Sequence, residues 1–195
     1  MPILGLLEKK GDEIFANADS VIVEVDMDKD IIKKVVALAK QYNKKLYGVV
    51  SNMSIAVERR DFLKHFDCFI CNQLEAGMLF MEDYADKSPE ELRDILSKRV
   101  ILGKIPAMIV TMGGNGAVYA DVNGEKGICP PQRVRVKDTT GAGDAFCAGV
   151  ASGLTYGKTL SEAVEIGSRL AASVITLSEN VCPRFLPEEF GITLD

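Results

Sequence analysis

Between residues 19 and 121 short apolar runs alternate with longer amphipathic ones, and this alternation restricts the fold more than any other feature of the chain. "DSVIVEVD" (19–26), "LYGVV" (46–50), "FDCFIC" (66–71) and "AMIVTM" (107–112) read as strands, apolar over most of their length. Strands of this kind belong in a parallel sheet covered on both faces. "KDIIKKVVALAKQYNKK" (29–45) places Ile32, Val35, Val36, Leu38 and Ala39 at helical spacing. "NQLEAGMLFM" opens a further helix. "SPEELRDILSKRV" (88–100) opens another with a clean start, in which Ser88 is the N-cap, Pro89 fits the first turn and Glu91 follows three residues after the cap. "AVYAD" (117–121) and "KGICP" (126–130) flank the Asn-Gly pair of "VNGE", a hairpin signal. "RVRV" (133–136) reads as a strand-like lead into a glycine-rich stretch, and two helices follow, the second over 161–177. The pattern predicts an α/β fold. It is a three-layer α/β/α sandwich with a mostly parallel sheet and an antiparallel portion in its second half. In such sheets ligands bind beyond the carboxyl ends of the strands. Asp26, Ser51, Asn52, Asn72, Thr111–Gly113 and Asp138–Asp144 fall there.

The chain of 195 residues is long enough for one core and reads as a single domain over 1–195. A net charge of −5 argues against general binding to a nucleic-acid backbone. No apolar run approaches the roughly eighteen residues of a membrane span. The opening "MPILGLLEKKGDEIF" lacks the basic lead and cleavage pattern of a signal peptide. The expectation is a cytoplasmic protein without membrane or nucleic-acid partners. The five cysteines show no framework spacing, so a disulfide scaffold is not expected. Cys68 and Cys71 form a C-x-x-C on a strand, where positions three apart face opposite ways, and they read as packing residues.

"VKDTTGAGDAFCAG" (136–149) carries the chemistry. Gly141, Ala142 and Gly143 leave backbone N–H groups almost bare, and Asp144 then begins a helix of small residues. Such a start offers orphan donors and a favourable field to an anion. An aspartate there is also a good cap and glycines make turns, so the string alone allows both readings. It is not a Walker A loop, because no Lys-Ser/Thr follows the glycines, nor a G-x-G-x-x-G fingerprint, because position 146 is Phe. A phosphoryl group passing to an alcohol needs its charge stabilised and needs a base for the hydroxyl proton. Bare N–H groups and a carboxylate supply these. Asn72 and Glu75, three apart on one helical face, offer oxygens that can hold Mg²⁺ through water. Glu75 equally suits the first turn of a helix as an acid near its N-terminus.

The combination of "DTTGAGDAFCAG" (138–149), "NQLE" (72–75) and "TMGGNGA" (111–117) resembles the ribokinase-like, PfkB-type carbohydrate and nucleoside kinases, over roughly 14–190. The C-terminal string is the specific one, and the other two support it by order and spacing. The resemblance implies ATP and Mg²⁺ as cofactors and Asp144 as the base that deprotonates the acceptor hydroxyl. It implies an anion hole from Gly141, Ala142 and Gly143, with Thr140 beside it. Asp138 and Thr139 would shape the nucleotide approach, and Asn72 and Glu75 would position Mg²⁺ and the phosphates. Thr111, Gly113 and Gly116 would line the ATP site, with Ser168, Ala171 and Ala172 near the adenine. The implied activity is phosphoryl transfer to a primary hydroxyl of a small sugar or nucleoside.

Members of that family carry an N-terminal glycine-rich substrate region and a small β-sheet lid, which have no counterpart here. The alternative reading is therefore a truncated or catalytically weak nucleotide-binding or assembly protein derived from such a kinase. A sheet edge left open at 19–26 predicts a homo-oligomer or a partner that covers it, with "MPILGLLEKK" packed on that partner. Asp26 and Asp28 read as solvated loop acids, Arg59 and Arg60 as the wet face of a helix, and His65, the one histidine, as a boundary residue.

Overall fold

The computed structural model describes residues 2–50, 57–177 and 186–193, the side chain of Arg59 excepted. Ser51, Asn52 and Cys182 lie outside the described residues. Six strands form one sheet in the order β1 (Ser20–Glu24), β2 (Lys45–Val49), β3 (Cys68–Asn72), β4 (Ala107–Thr111), β5 (Ala117–Asp121), β6 (Lys126–Cys129). β1 to β4 run parallel, and β5 and β6 are added antiparallel. The helices are α1 (Pro2–Asn17), α2 (Lys29–Gln41), α3 (Gln73–Phe80), α4 (Pro89–Gly103), α5 (Ala142–Thr155) and α6 (Leu160–Ile175).

The period-two alternation of the strands separates two cores. Val23, Leu46, Phe69, Cys71, Met108 and Val110 pack on the α1–α4 side. Tyr47, Cys68, Ile70, Ile109 and Tyr119 pack on the α5–α6 side. This is the three-layer sandwich expected, and Cys68 and Cys71 do face opposite layers as free thiols. Burial pushes the Cys71 thiol well up, which makes it an inert packing group.

Four local expectations change. The opening segment is a helix whose inner face, Leu7, Gly11 and Phe15, is buried within the chain itself. A Cβ at Gly11 would meet Leu38 Cδ1 at 2.7 Å, so α1 lies close on α2. The spacing of Leu4, Leu7, Gly11 and Phe15 carried that signal. "RVRV" forms no strand; residues 130–140 are exposed and without regular structure up to the helix start. Pro130 and Pro131 lack the N–H groups that a continued ladder needs. "VERRDFLKH" is a 3₁₀ segment (Val57–His65) rather than an α-helix, and Arg60 is half-buried with Nε lacking a hydrogen bond. The last long helix begins at Leu160 and ends at Ile175.

Candidate active site at the carboxyl edge of the sheet

Asn72 and Thr111 are partners in the β3–β4 register, so the ends of these strands stand side by side. Thr111 pairs with Ala117 and Ala117 with Cys129, so the chain also leaves β6 at this edge. It stays there. The N–H groups of Lys137 and Asp138 bond to Ile175 O, at the end of α6, at 2.8 and 3.4 Å. Asp138 then folds the chain through Oδ1, which accepts from Thr140 N at 2.9 Å and from Thr140 Oγ1 at 2.8 Å. These bonds hold its carboxyl below the ordinary range. Asp138 and the Thr140 hydroxyl are thus spent on one another in a turn, while Thr139 is exposed.

That turn delivers Gly141 in the left-handed region, at φ 80°, as the N-cap of α5. The helix begins at Ala142, so Asp144 is its third residue rather than its first. No side chain caps it. Ala142 N bonds to Thr139 O at 3.2 Å, but Gly143 and Asp144 N–H are first-turn donors with no helical acceptor. A Cβ added at Gly143 would meet nothing within 4 Å, so the approach to these donors is open. Asp144 is exposed beside them.

Asn72 and Glu75 make a reciprocal pair at the start of α3. Asn72 Oδ1 accepts from Glu75 N at 2.9 Å, and Glu75 Oε2 accepts from Asn72 N at 2.7 Å. The capping alternative is therefore realised, with Glu75 Oε1 left over. Burial raises the Glu75 carboxyl despite the bonds from Asn72. Burial also pushes the Cys147 thiol up to about 12, with Asp144 and then Glu75 adding to the effect. The fields of both acids bear on this one thiol. No group of three acidic, imidazole or thiol ligands positioned for a metal exists among the described residues. Glu75 and Asn72 offer oxygens, the donor type that suits a hard cation held partly through water.

The glycines divide. Gly113, at φ 56°, faces open space, whereas Gly116 is required by packing: a Cβ there would lie 2.1 Å from Cys129 O. The small residues of α5 and α6 pack backbone on backbone. A Cβ at Gly149 would meet Gly167 Cα at 2.8 Å. Ala172 is buried, while Ser168 and Ala171 are half-buried. Asp26, just past β1, is only partly exposed, and its Oδ1 is buried without a hydrogen-bond partner. Nothing in the local sequence distinguishes it from Asp28, which caps α2 by accepting from Asp30 N at 2.9 Å.

Comparison with known proteins identifies the arrangement. The profile of the pfkB family carbohydrate kinases matches residues 6–181. Guanosine-inosine kinase of Exiguobacterium acetylicum is 33% identical over 165 residues, which is 83% of this chain and 53% of that protein. Ribokinase of Arabidopsis thaliana, solved with ribose and ATP, superposes with a TM-score of 0.75 at 22% identity, covering 87% of this chain and 54% of that one. Adenosine kinase of Sinorhizobium meliloti gives 0.70 at 24% identity, covering 86% and 52%. The chain thus spans about half the length of the relatives it matches. With a ribokinase-like sheet, the uncapped glycine start and Asp144 beside it, the chain belongs to the pfkB family of carbohydrate kinases.

Proposed function

We propose that this chain carries the phosphate-handling site of an ATP-dependent kinase whose acceptor is a primary hydroxyl of a small sugar or nucleoside. The observation that carries this reading is the start of α5, a left-handed glycine without a cap, two free N–H donors and an exposed carboxylate on the same turn. The free N–H groups of Gly143 and Asp144 bind the oxygens of the transferred phosphoryl and stabilise the charge that develops there. Asp144 accepts the proton of the attacking hydroxyl, at a distance from the transferred group set by one helical turn. Gly141 and Gly143 keep side chains out of that path. Mg²⁺, held through water by Glu75 Oε1 and Asn72, supplies further positive charge to the nucleotide phosphates when bound. Thr111 and Gly113 form the nucleotide wall, and Gly116 shapes it by letting the turn pack on β6.

Asp26 is the acceptor-side residue of this proposal. A buried carboxylate oxygen without a donor is costly, and an acceptor hydroxyl relieves it. Asp26→Asn should raise KM for the acceptor with kcat less affected; unchanged KM sinks this role. Self-association along β1 belongs to the same reading, since β1 is an outer strand with Ile22 48% exposed. Among the described residues no helix is long and apolar enough to cross a membrane, and a cytoplasmic enzyme is proposed.

The test is nucleotide binding and phosphoryl transfer by the full chain against a panel of sugars and nucleosides. Transfer to one or a few primary alcohols supports the kinase. Bound ATP without transfer to any acceptor favours the second reading, a nucleotide-binding protein. Absence of nucleotide binding overturns both.

A further inference from the structure

The amino ends of the parallel strands form the sheet edge opposite Asp144, and a cavity of about 310 Å³ opens there. The last turn of α2, the start of β2 and the residues before β3 line it. It gathers Lys40, Lys44, Lys45 and His65 against a single lining carboxylate, Asp67. The chain as a whole carries −5, so this cationic surplus is local. Lys45 Nζ pairs with Asp67 at 2.9 Å, and Lys44 Nζ donates to Ala16 O at 3.2 Å. Lys40 has no carboxylate partner among the described residues. Its Nζ instead lies 3.4 Å from His65 Nδ1. An ammonium facing that nitrogen makes it the acceptor and leaves the ring proton on Nε2. The carbonyl end of α2 attracts a cation by itself, which accounts for Lys40 but not for three lysines and a histidine around one hollow.

We propose that this cavity binds a small phosphate-bearing anion, with Lys40 and His65 as its principal donors and Lys44 beside them. Its size is near the lower end of small-molecule sites, roughly 300–1,000 Å³, which suits a phosphate monoester rather than a dinucleotide. The site is independent of the reading at the carboxyl edge. The groups around His65 define how occupancy is read. Burial, then Lys40 and Lys64, hold its imidazolium below the ordinary range, with Asp61 opposing them. Lys45 and Asp67 complete the charged lining. A bound phosphate dianion reverses the sign of that field, so His65 takes up a proton at higher pH than in the free chain.

His65 is the only histidine, so its ring C–H signals in proton NMR form a single internal probe. The full chain is titrated with inorganic phosphate and, separately, with glycerol phosphate, against chloride at matched ionic strength. The expected result is a saturable displacement of the His65 signals and a higher midpoint in phosphate than in chloride. Lys40→Met should raise the midpoint in chloride, by removing a neighbouring cation, and weaken phosphate binding roughly tenfold or more. Tighter binding of the monoester assigns part of the cavity to its organic group. Tighter binding of inorganic phosphate confines the site to the phosphate itself. Phosphate at the start of α5 lies at the other edge and does not produce this response. A non-saturating response, one matched by chloride, or unchanged affinity in Lys40→Met overturns the site.

Discussion

Among the helices that begin at the carboxyl edge of the sheet, α3 and α5 begin in opposite ways. α3 starts on Asn72, whose side chain and that of Glu75 satisfy each other's backbone N–H groups. α5 starts on Gly141, in the left-handed region and with no side-chain cap. α4 and α6 repeat the α3 solution, with Ser88 paired to Glu91 and Thr159 paired to Glu162, and α2 is capped by Asp28. Among the α-helices whose N-cap is described only α5 lacks a capping side chain, and since a capping side chain is worth about a few tenths of a kcal/mol over glycine, this start carries a small local cost that folding does not require. Donors left free at that one start are available to an anion. The contrast teaches that a glycine in place of a cap can mark a binding site, while a complete box marks a finished one.

The comparison breaks most visibly at Asp144. Asp144→Asn should keep nucleotide binding and lower phosphoryl transfer by about 10²–10⁴-fold, the usual contribution of a positioned base. Near-normal turnover would remove Asp144 from the chemistry and leave α5 merely uncapped. Gly141→Ala comes next. Its φ of 80° should cost about 1–2 kcal/mol in an unfolding titration, with nucleotide affinity falling as the turn distorts. A variant as stable as the parent would show that the left-handed start is not needed.

Substitutions at α3 sharpen the other half. Asn72→Ala should lower stability by about 1 kcal/mol through loss of the cap. Glu75→Gln should be nearly neutral for folding, because glutamine completes the same box. If Glu75 also holds Mg²⁺ through water, that variant changes the Mg²⁺ dependence of nucleotide binding without changing the melting curve. An unmoved Mg²⁺ dependence reduces Glu75 to a cap.

The smallest effect is in pH. Glu91 and Glu162 are held below the ordinary carboxylate range, chiefly by the N–H groups of Ser88 and Thr159. Glu75 has the same bonding but is raised, because burial outweighs it. The signs are therefore opposite. Glu91 and Glu162 add stability above their unfolded values that is lost as pH falls through their lower folded ones. The Glu75 term favours folding below its unfolded value and is lost as pH rises through its higher folded one. Carboxyl-carbon NMR should find Glu75 titrating above both. Finding it below them would place α3 among the ordinary capped helices.

Much of the fold was legible because its signals are local. Apolar runs, helical spacing at Ile32–Ala39 and the Ser88/Glu91 box each depend on neighbours a few residues away. The glycine string and Asp144 were legible for the same reason, since an uncapped helix start is a property of one turn. What a short window left open was which partner a residue would meet. Gly116 reads like Gly113 until Cys129 O is seen 2.1 Å from where its Cβ would stand. "RVRV" has the alternation of a strand but follows two prolines and joins no ladder among the described residues. Asp26 looks like Asp28, yet one ends with a buried, unpartnered oxygen and the other caps a helix.

The sequence by itself determined the α/β architecture, the helix starts and the glycine turn beside Asp144, because backbone dihedral preference, periodicity and capping act within one or two turns. Only the tertiary structure decided which acids are partly buried, which glycines exist for packing, and that Asp144 and Glu75 both bear on the Cys147 thiol. It also decided that lysines from α2 and β2 meet His65 around one cavity. Burial and electrostatic field are sums over groups distant in the chain, and packing alone brings those groups together.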